Sequence, residues 1–174
     1  MDISAQDFKT MSTNEGSNIF ELSTNKPVLL VFLRHFGCTF CREAMEELSK
    51  KKGKLAKDGI ELVFVHMADD ETADRYFKRY KLEGSLHISD PECELYQKFG
   101  LVKGNFNQLF GLNVWMRGIQ AGVLQVHGIG SYVGDGFQMP GVFMIQNGCI
   151  REKFVHNKVS DKPDYERLAA CCVA

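Results

Sequence analysis

The stretch VLLVFLRHFGCTFCRE, from Val28 to Glu43, decides the fold. It begins with a run of apolar residues rich in Val and Leu, Val28 to Leu33, which is typical of a strand buried on both faces. A short polar break follows, and after Cys38 and Cys41 the apolar residues recur at helical spacing. The stretch therefore predicts a strand, a loop that carries two cysteines, and a helix from about Cys41 to Lys57.

The position of the two cysteines favours redox chemistry, because a C-x-x-C pair stands where a strand passes into a helix. A helix N-terminus presents unpaired N–H groups and a partial positive charge, and both stabilise a thiolate. Such placement can lower a cysteine pKa from about 8.5 to between about 3.5 and 7.5. We predict that Cys38 attacks and that Cys41, one turn deeper, resolves the product. Arg34, His35 and Arg42 would add positive charge nearby.

Two other interpretations of the cysteine pair stay open. The pair could be half of a zinc site, or two inert core residues. Zinc sites of this kind usually need a second ligand pair, and Cys93, Cys149 and the adjacent Cys171 and Cys172 do not form one. We therefore predict no metal and no organic cofactor. Cys93 is an alternative, remote resolving cysteine, although a structural role suits it better.

Composition is that of a soluble globular protein. The chain has 174 residues, of which 44% are hydrophobic and 25% charged, and its net charge is −1. This predicts a single domain over residues 1–174 and gives no sign of a nucleic-acid or membrane partner. The first residues lack the apolar stretch of a signal peptide, which predicts a cytoplasmic location. In that reducing compartment the cysteines are expected as free or catalytic thiols.

The rest of the chain alternates strand and helix patterns and ends in a hairpin. The repeated order of strand and helix predicts a parallel sheet covered by helices. His66 ends one strand, where it could act as a base or merely cap the strand. A short segment before Lys26 should pack against the edge of the domain. The predicted strands are 60–66, 86–89, 141–146 and 149–156, the last two around an Asn-Gly turn; further helices start at Asp69 and Asp90 and cover 110–120 and 164–171.

Two motifs, FLRHFGCTFCRE and GDGFQMPGVFMIQNG, resemble the peroxiredoxin-like branch of the alkyl hydroperoxide reductase/thiol-specific antioxidant (AhpC/TSA) family. The resemblance covers about Lys26 to Phe154. It implies a thioredoxin-like α/β fold: a central mixed sheet, helices on both faces and a late antiparallel hairpin. It also implies that Cys38 is the nucleophile, that a peroxide or disulfide is the substrate, and that thioredoxin or glutathione is the reductant. In that fold a cis-proline precedes the hairpin and lies against the cysteines, a position that Pro140 matches.

The chain departs from the peroxiredoxin pattern at two places. His35 stands where peroxiredoxins have a threonine three residues before the nucleophile, and Met139 stands where they have an arginine before the late strand. These departures favour thiol–disulfide exchange over efficient peroxide reduction, with Arg34 or His35 as the replacement cation. The alternative from another class is a non-catalytic thioredoxin-like binding or regulatory module. Peroxiredoxin dimers associate through aromatic surfaces, so a homodimer stays open as well.

Overall fold

The structure is a computed structural model that describes residues 3–105 and 136–172. The helices in these ranges are α1 (Ala5–Thr10), α2 (Ile19–Asn25), α3 (Thr39–Lys57), α4 (Asp70–Arg79), α5 (Glu94–Lys98) and α6 (Tyr165–Ala170). The strands are β1 (Val28–Phe32), β2 (Glu61–His66), β3 (Leu86–Ser89), β4 (Gly141–Gln146) and β5 (Cys149–Val155). None of these helices combines the length and the apolar character that crossing a membrane requires.

The described strands form one mixed sheet in the order β3-β2-β1-β4-β5. β1 pairs in parallel with β2, and β2 with β3, whereas β4 runs antiparallel to both β1 and β5. β1 has a neighbour on each side and is buried at every position, which explains its uninterrupted apolar sequence. This topology confirms the predicted α/β, thioredoxin-like fold.

Helices cover both faces of the sheet, as the sequence predicted. On one face α3, α4 and α6 contribute side chains such as Leu48 and Phe77 to a continuous core. On the other face α1, α2 and α5 contribute side chains such as Phe8, Ile19 and Tyr96. The sheet is therefore the middle layer between two hydrophobic cores, as expected where a parallel sheet is buried on both sides.

The hairpin of β4 and β5 turns at Asn147 and Gly148, as predicted. Both residues have positive φ, 53° and 65°, the backbone that a two-residue type I′ turn requires and that Asn-Gly adopts readily. The turn places β4 between β5 and β1. As a result, the first residue of β4 lies beside the last residue of β1, at the edge of the sheet where the cysteines are found.

The N-terminal segment differs from its prediction, because it contains two separate helices. Each helix has a reciprocal cap, formed by Ser4 with Asp7 in α1 and by Asn18 with Glu21 in α2. A polar residue followed three positions later by an acidic one is a known signal for the start of a helix. The apolar pattern that follows each signal is too short here to predict a helix.

The starts of two helices differ from their predicted positions by a few residues. α3 begins at Thr39 and not at Cys41. α5 begins at Glu94, four residues after the predicted start at Asp90. The Asp90 carboxylate accepts hydrogen bonds from the N–H groups of Glu94 and Leu95, at 3.0 and 2.8 Å, and so caps a helix that begins further along the chain. The helix predicted over 110–120 lies outside the described residues.

Candidate active site

The two cysteines lie where β1 passes into α3. Cys38 is the N-cap residue of α3, with an extended backbone (φ −74°, ψ 123°), and Cys41 lies in the first helical turn. Both are free thiols, 6% and 5% exposed. The loop between strand and helix is closed by the Cys38 N–H, which donates to the His35 carbonyl at 2.9 Å. The nucleophile candidate therefore stands at the helix start that the sequence indicated, where the partial positive charge of the helix N-terminus favours a thiolate.

Arg34 contacts both sulfur atoms through different groups. Its Nη1 donates to Cys38 Sγ at 3.5 Å, while its backbone N–H donates to Cys41 Sγ at 3.2 Å. Its Nη2 donates to the Gly136 carbonyl. Arg34 is 7% exposed, so its charge acts on Cys38 with little screening by water.

These contacts separate the pKa values of the two thiols. The pKa of Cys38 falls from 9.0 to about 6, first because the Cys41 thiol donates a hydrogen bond to it and then because the Arg34 charge is near; burial opposes the shift. The pKa of Cys41 is raised well above its ordinary value by the same hydrogen bond and by burial. At neutral pH the arrangement therefore holds a thiolate on Cys38 and a proton on Cys41.

The other two predicted cations take different positions. His35 meets Cys38 through its backbone carbonyl. Arg42 directs its Nε to the Phe36 carbonyl at 2.7 Å and lies 5.7 Å from the centre of the Tyr76 ring. Arg42 therefore braces the loop before α3, and Arg34 is the arginine that reaches the nucleophile.

Pro140 borders the site because of the strand register. Phe32 of β1 is paired with Gly141 of β4, which puts the preceding residue, Pro140, against the loop that follows β1. The expected cis bond is wrong, since the described residues contain no cis peptide bond and trans is favoured for X–Pro by about 0.5–1 kcal/mol. The Pro140 carbonyl is held by Nδ1 of the buried His156 at 3.1 Å. Burial lowers the pKa of His156 to about 4, so this imidazole is neutral at pH 7.

A pocket of ≈540 Å³, measured out to its open mouth, leads to both cysteines. Its walls come from β1, α3, β4 and the segment before α6, and include the apolar side chains of Val31, Phe40 and Val159. The acid Glu43, 8% exposed in its side chain, pairs with Lys162 at 2.5 Å on the same wall. The sequence analysis missed this wall, because residues 156–165 are far from the C-x-x-C in the chain and carry no motif.

A tyrosine supports the floor of the site from the opposite face of the sheet. Tyr96 of α5 is fully buried, and its hydroxyl donates to the carbonyl of Leu33, with the carbonyl of Val65 also within 3.2 Å. Leu33 immediately precedes Arg34, so the hydroxyl fixes the chain where it leaves β1. Cys93 lies in the core on this face, with Phe8 and Phe99, which favours its structural role.

A buried pair of cysteines, of which one has a lowered and the other a raised pKa, at the start of a helix on a thioredoxin-like sheet is an arrangement typical of thiol-dependent oxidoreductases. The comparison with known families agrees. A family model described as "AhpC/TSA antioxidant enzyme" matches residues 47–158, and the chain belongs to this family. The matched region starts after Cys41, so the family assignment is independent of the cysteine motif.

The chain is also similar to a curated relative and to solved structures. The prostamide/prostaglandin F synthase of Salmo salar is 32% identical over 165 residues, which cover 90% of this chain and 78% of the relative. The bacterioferritin comigratory protein of Xanthomonas campestris, whose structural description concerns alkyl peroxide reduction, aligns with a TM-score of 0.66 at 14% identity and covers 98% of this chain and 95% of its own. The thiol:disulfide interchange protein DsbE of Chlorobium tepidum aligns with a TM-score of 0.60 at 17% identity, covering 94% and 92%. The two structural likenesses show the fold.

Proposed function

We propose that this protein reduces hydroperoxides with Cys38 as the nucleophile and Cys41 as the resolving thiol. The observation that carries the proposal is the double contact of Arg34, whose guanidinium lies on Cys38 and whose backbone N–H lies on Cys41. The first contact favours a thiolate, and the second leaves the proton of Cys41 free to point at Cys38. Arg34 in this way replaces the arginine that the sequence lacks before β4.

The reaction consists of two displacements. The Cys38 thiolate attacks one oxygen of ROOH, the O–O bond breaks, and the leaving alkoxide takes a proton to give ROH, while Cys38 becomes a sulfenic acid. The Cys41 sulfur then attacks Cys38 Sγ, water leaves, and a disulfide forms. A dithiol such as thioredoxin, or two molecules of glutathione, returns both cysteines to the thiol state by exchange.

The shape of the site supports an organic hydroperoxide as substrate. Cys38 is only 6% exposed, so a substrate must enter the pocket to reach it, which a slender peroxide does more easily than a folded protein. Val31, Phe40 and Val159 offer an apolar wall for an alkyl group. The name of the salmon relative refers to lipid products, prostamide and prostaglandin F, which agrees with a substrate that carries a long apolar chain.

Thiol–disulfide exchange is the second candidate, and the spacing of the cysteines favours it. The structural likeness to a thiol:disulfide interchange protein shows that the same sheet and helices serve such proteins. Here the Cys38 thiolate would attack a disulfide sulfur and release a thiolate, and Cys41 would resolve the mixed disulfide. His35, in place of a peroxide-binding threonine, is compatible with this chemistry.

The test compares the two substrate classes, hydroperoxides and disulfides, by stopped-flow kinetics. Reduced protein is mixed with hydrogen peroxide, with cumene hydroperoxide or with a model disulfide, and the product is mapped by mass spectrometry. We expect the fastest reaction with cumene hydroperoxide and a Cys38–Cys41 disulfide as product. Cys38→Ser should slow the reaction by more than about a thousandfold, as expected when a nucleophile is removed.

The matched control is Cys41→Ser, which keeps the nucleophile. It should react with peroxide once and stop as a sulfenic acid that dimedone traps. A fast reaction with the disulfide and a slow one with both peroxides would make exchange the function. No reaction with any of the three would leave the non-catalytic binding module as the better interpretation.

A further inference from the structure

A second buried pair of titratable side chains lies on the neighbouring strands β2 and β3, outside the cysteine site. His66 ends β2 and His87 lies in β3, and their side chains are 1% and 0% exposed. His66 Nε2 and His87 Nδ1 face each other at 2.9 Å. Helix α4 covers them with Asp70, whose Oδ1 is 3.6 Å from His87 Nδ1, and with Asp74.

The outer nitrogens of both rings are already committed as donors. His66 Nδ1 lies 3.0 Å from the Ala68 carbonyl, and His87 Nε2 lies 3.2 Å from Asp74 Oδ1. A carbonyl and a carboxylate only accept hydrogen bonds, so each of these nitrogens carries the ring proton. In two neutral imidazoles the facing nitrogens, His66 Nε2 and His87 Nδ1, are then both unprotonated. Two lone pairs point at each other across 2.9 Å, which is unfavourable unless a cation lies between them.

We propose that His66 Nε2, His87 Nδ1 and the Asp70 carboxylate bind a zinc ion. The three ligand atoms lie within 4.8 Å of one another. Tetrahedral zinc holds its nitrogen ligands at about 2.0–2.1 Å, which sets neighbouring ligand atoms about 3.3 Å apart. The two nitrogens must move apart by a few tenths of an ångström, and the carboxylate must swing in. Three protein ligands leave a fourth position for water.

The surroundings of the site agree with this assignment. Zinc-binding histidines usually donate their other ring N–H to a carbonyl or carboxylate, as His66 does to Ala68 and His87 to Asp74. The Asp70 side chain is 59% exposed, so an ion can reach the buried nitrogens through it.

Zinc here would join three elements of the fold. β2, β3 and the first turn of α4 each supply one ligand. His66 also packs on the Phe36 ring, with ring centres 5.6 Å apart, and Phe36 belongs to the loop before Cys38. The ion would therefore stabilise the strand ends next to the redox loop without taking part in the sulfur chemistry.

The experiment titrates zinc chloride into reduced, metal-free Cys38→Ser/Cys41→Ser protein whose remaining accessible thiols are alkylated. Calorimetry counts the bound ions, and proton–nitrogen NMR follows the histidine rings at pH 7.5. We expect one zinc per chain and a shift of His66 Nε2 and His87 Nδ1 to the metal-bound range. This readout does not use the redox reaction, so it can fail or succeed independently of the proposed function.

Asp70→Asn is the main variant, because the side chain is exposed and its loss should leave the fold intact. It should weaken zinc binding at least tenfold, and His87→Gln should abolish it. Glu71→Gln, an exposed acid one residue further along α4, is the matched control and should bind like the parent. The proposal is overturned if zinc leaves the two ring nitrogens unshifted, if Asp70→Asn binds as tightly as Glu71→Gln, or if NMR finds a proton shared between the rings in the presence of zinc.

Discussion

Two buried pairs lie at the same edge of the sheet, and they place protons in different ways. In the cysteine pair, Cys41 can turn its proton toward Cys38, and Arg34 adds a positive charge on the same side. In the histidine pair, both protons are held on the outer nitrogens by Ala68 and Asp74. The first pair therefore has its own internal donor and favours a thiolate beside a thiol, whereas the second lacks one and, on the proposal above, binds a zinc ion between its facing nitrogens.

The largest expected effect concerns the pH dependence of stability of the reduced protein. The pKa of Cys38 is 9.0 when unperturbed and about 6 in the fold, so its stabilising contribution is complete above pH 9 and is lost as the pH falls through 6. The difference amounts to up to about 4 kcal/mol in the free energy of unfolding. Urea unfolding under reductant should show this rise from pH 6 to pH 9 in the wild type and not in Cys38→Ser. Equal slopes would mean that Cys38 is protonated in the fold.

Removing the internal donor should have the next largest effect. Cys41→Ala deletes the hydrogen bond that contributes most to the low pKa of Cys38, whereas Cys41→Ser keeps an O–H that can donate. If the pKa returns to 9.0, the thiolate fraction at pH 7 and the alkylation rate fall by up to about 90-fold. Iodoacetamide alkylation of Cys38 as a function of pH measures this. The comparison fails if alanine and serine give the same pKa.

Removing the charge should have a smaller effect. Arg34→Gln takes away the second favourable contribution to the Cys38 thiolate, and alkylation at pH 7 should slow by about three- to tenfold. The rate should recover at pH 9, where the thiol ionises without help. Arg42→Gln is the control, because that arginine braces Phe36; it should reduce stability and leave the Cys38 pKa in place.

An effect of similar size is expected in the histidine pair. Asp74→Ala removes the acceptor that fixes the proton on His87 Nε2, and that proton can then move to Nδ1 and donate to His66. Zinc affinity should fall by about tenfold, as for other outer-sphere carboxylates. The nitrogen shifts of the metal-free His87 ring should report the exchange of tautomers. An unchanged tautomer would show that Asp74 does not set it.

Local sequence predicted most of the fold and the centre of the candidate site. The apolar run of β1, the Asn-Gly turn and Gly59, which has a φ of 74° after α3, each act within a few residues. Cys38 at the helix start follows from the same local pattern. The pocket wall with Glu43 and Lys162 could not be found in this way, since it depends on the packing of the segment before α6 against α3.

His66 illustrates the limit of reasoning along the chain. Its position at a strand end was predicted, but its partner was not. The register pairs His66 with Ser89 and Phe64 with His87, so the two imidazoles are diagonal neighbours on one face. That relation depends on the alignment of two strands, and no spacing within either strand reveals it.

The hydroxyl of Tyr96 bears on which parts of the structure would move when the two cysteines are oxidised. It contacts the carbonyls of Leu33 and Val65 from the opposite face of the sheet, so the chain just after β1 and the end of β2 share one anchor. A change of bonding between Cys38 and Cys41 would then be absorbed above that anchor, by α3 and the walls of the pocket. The layer of α1, α2 and α5 would keep its packing, and this half of the protein would have the same structure in the reduced and the oxidised state.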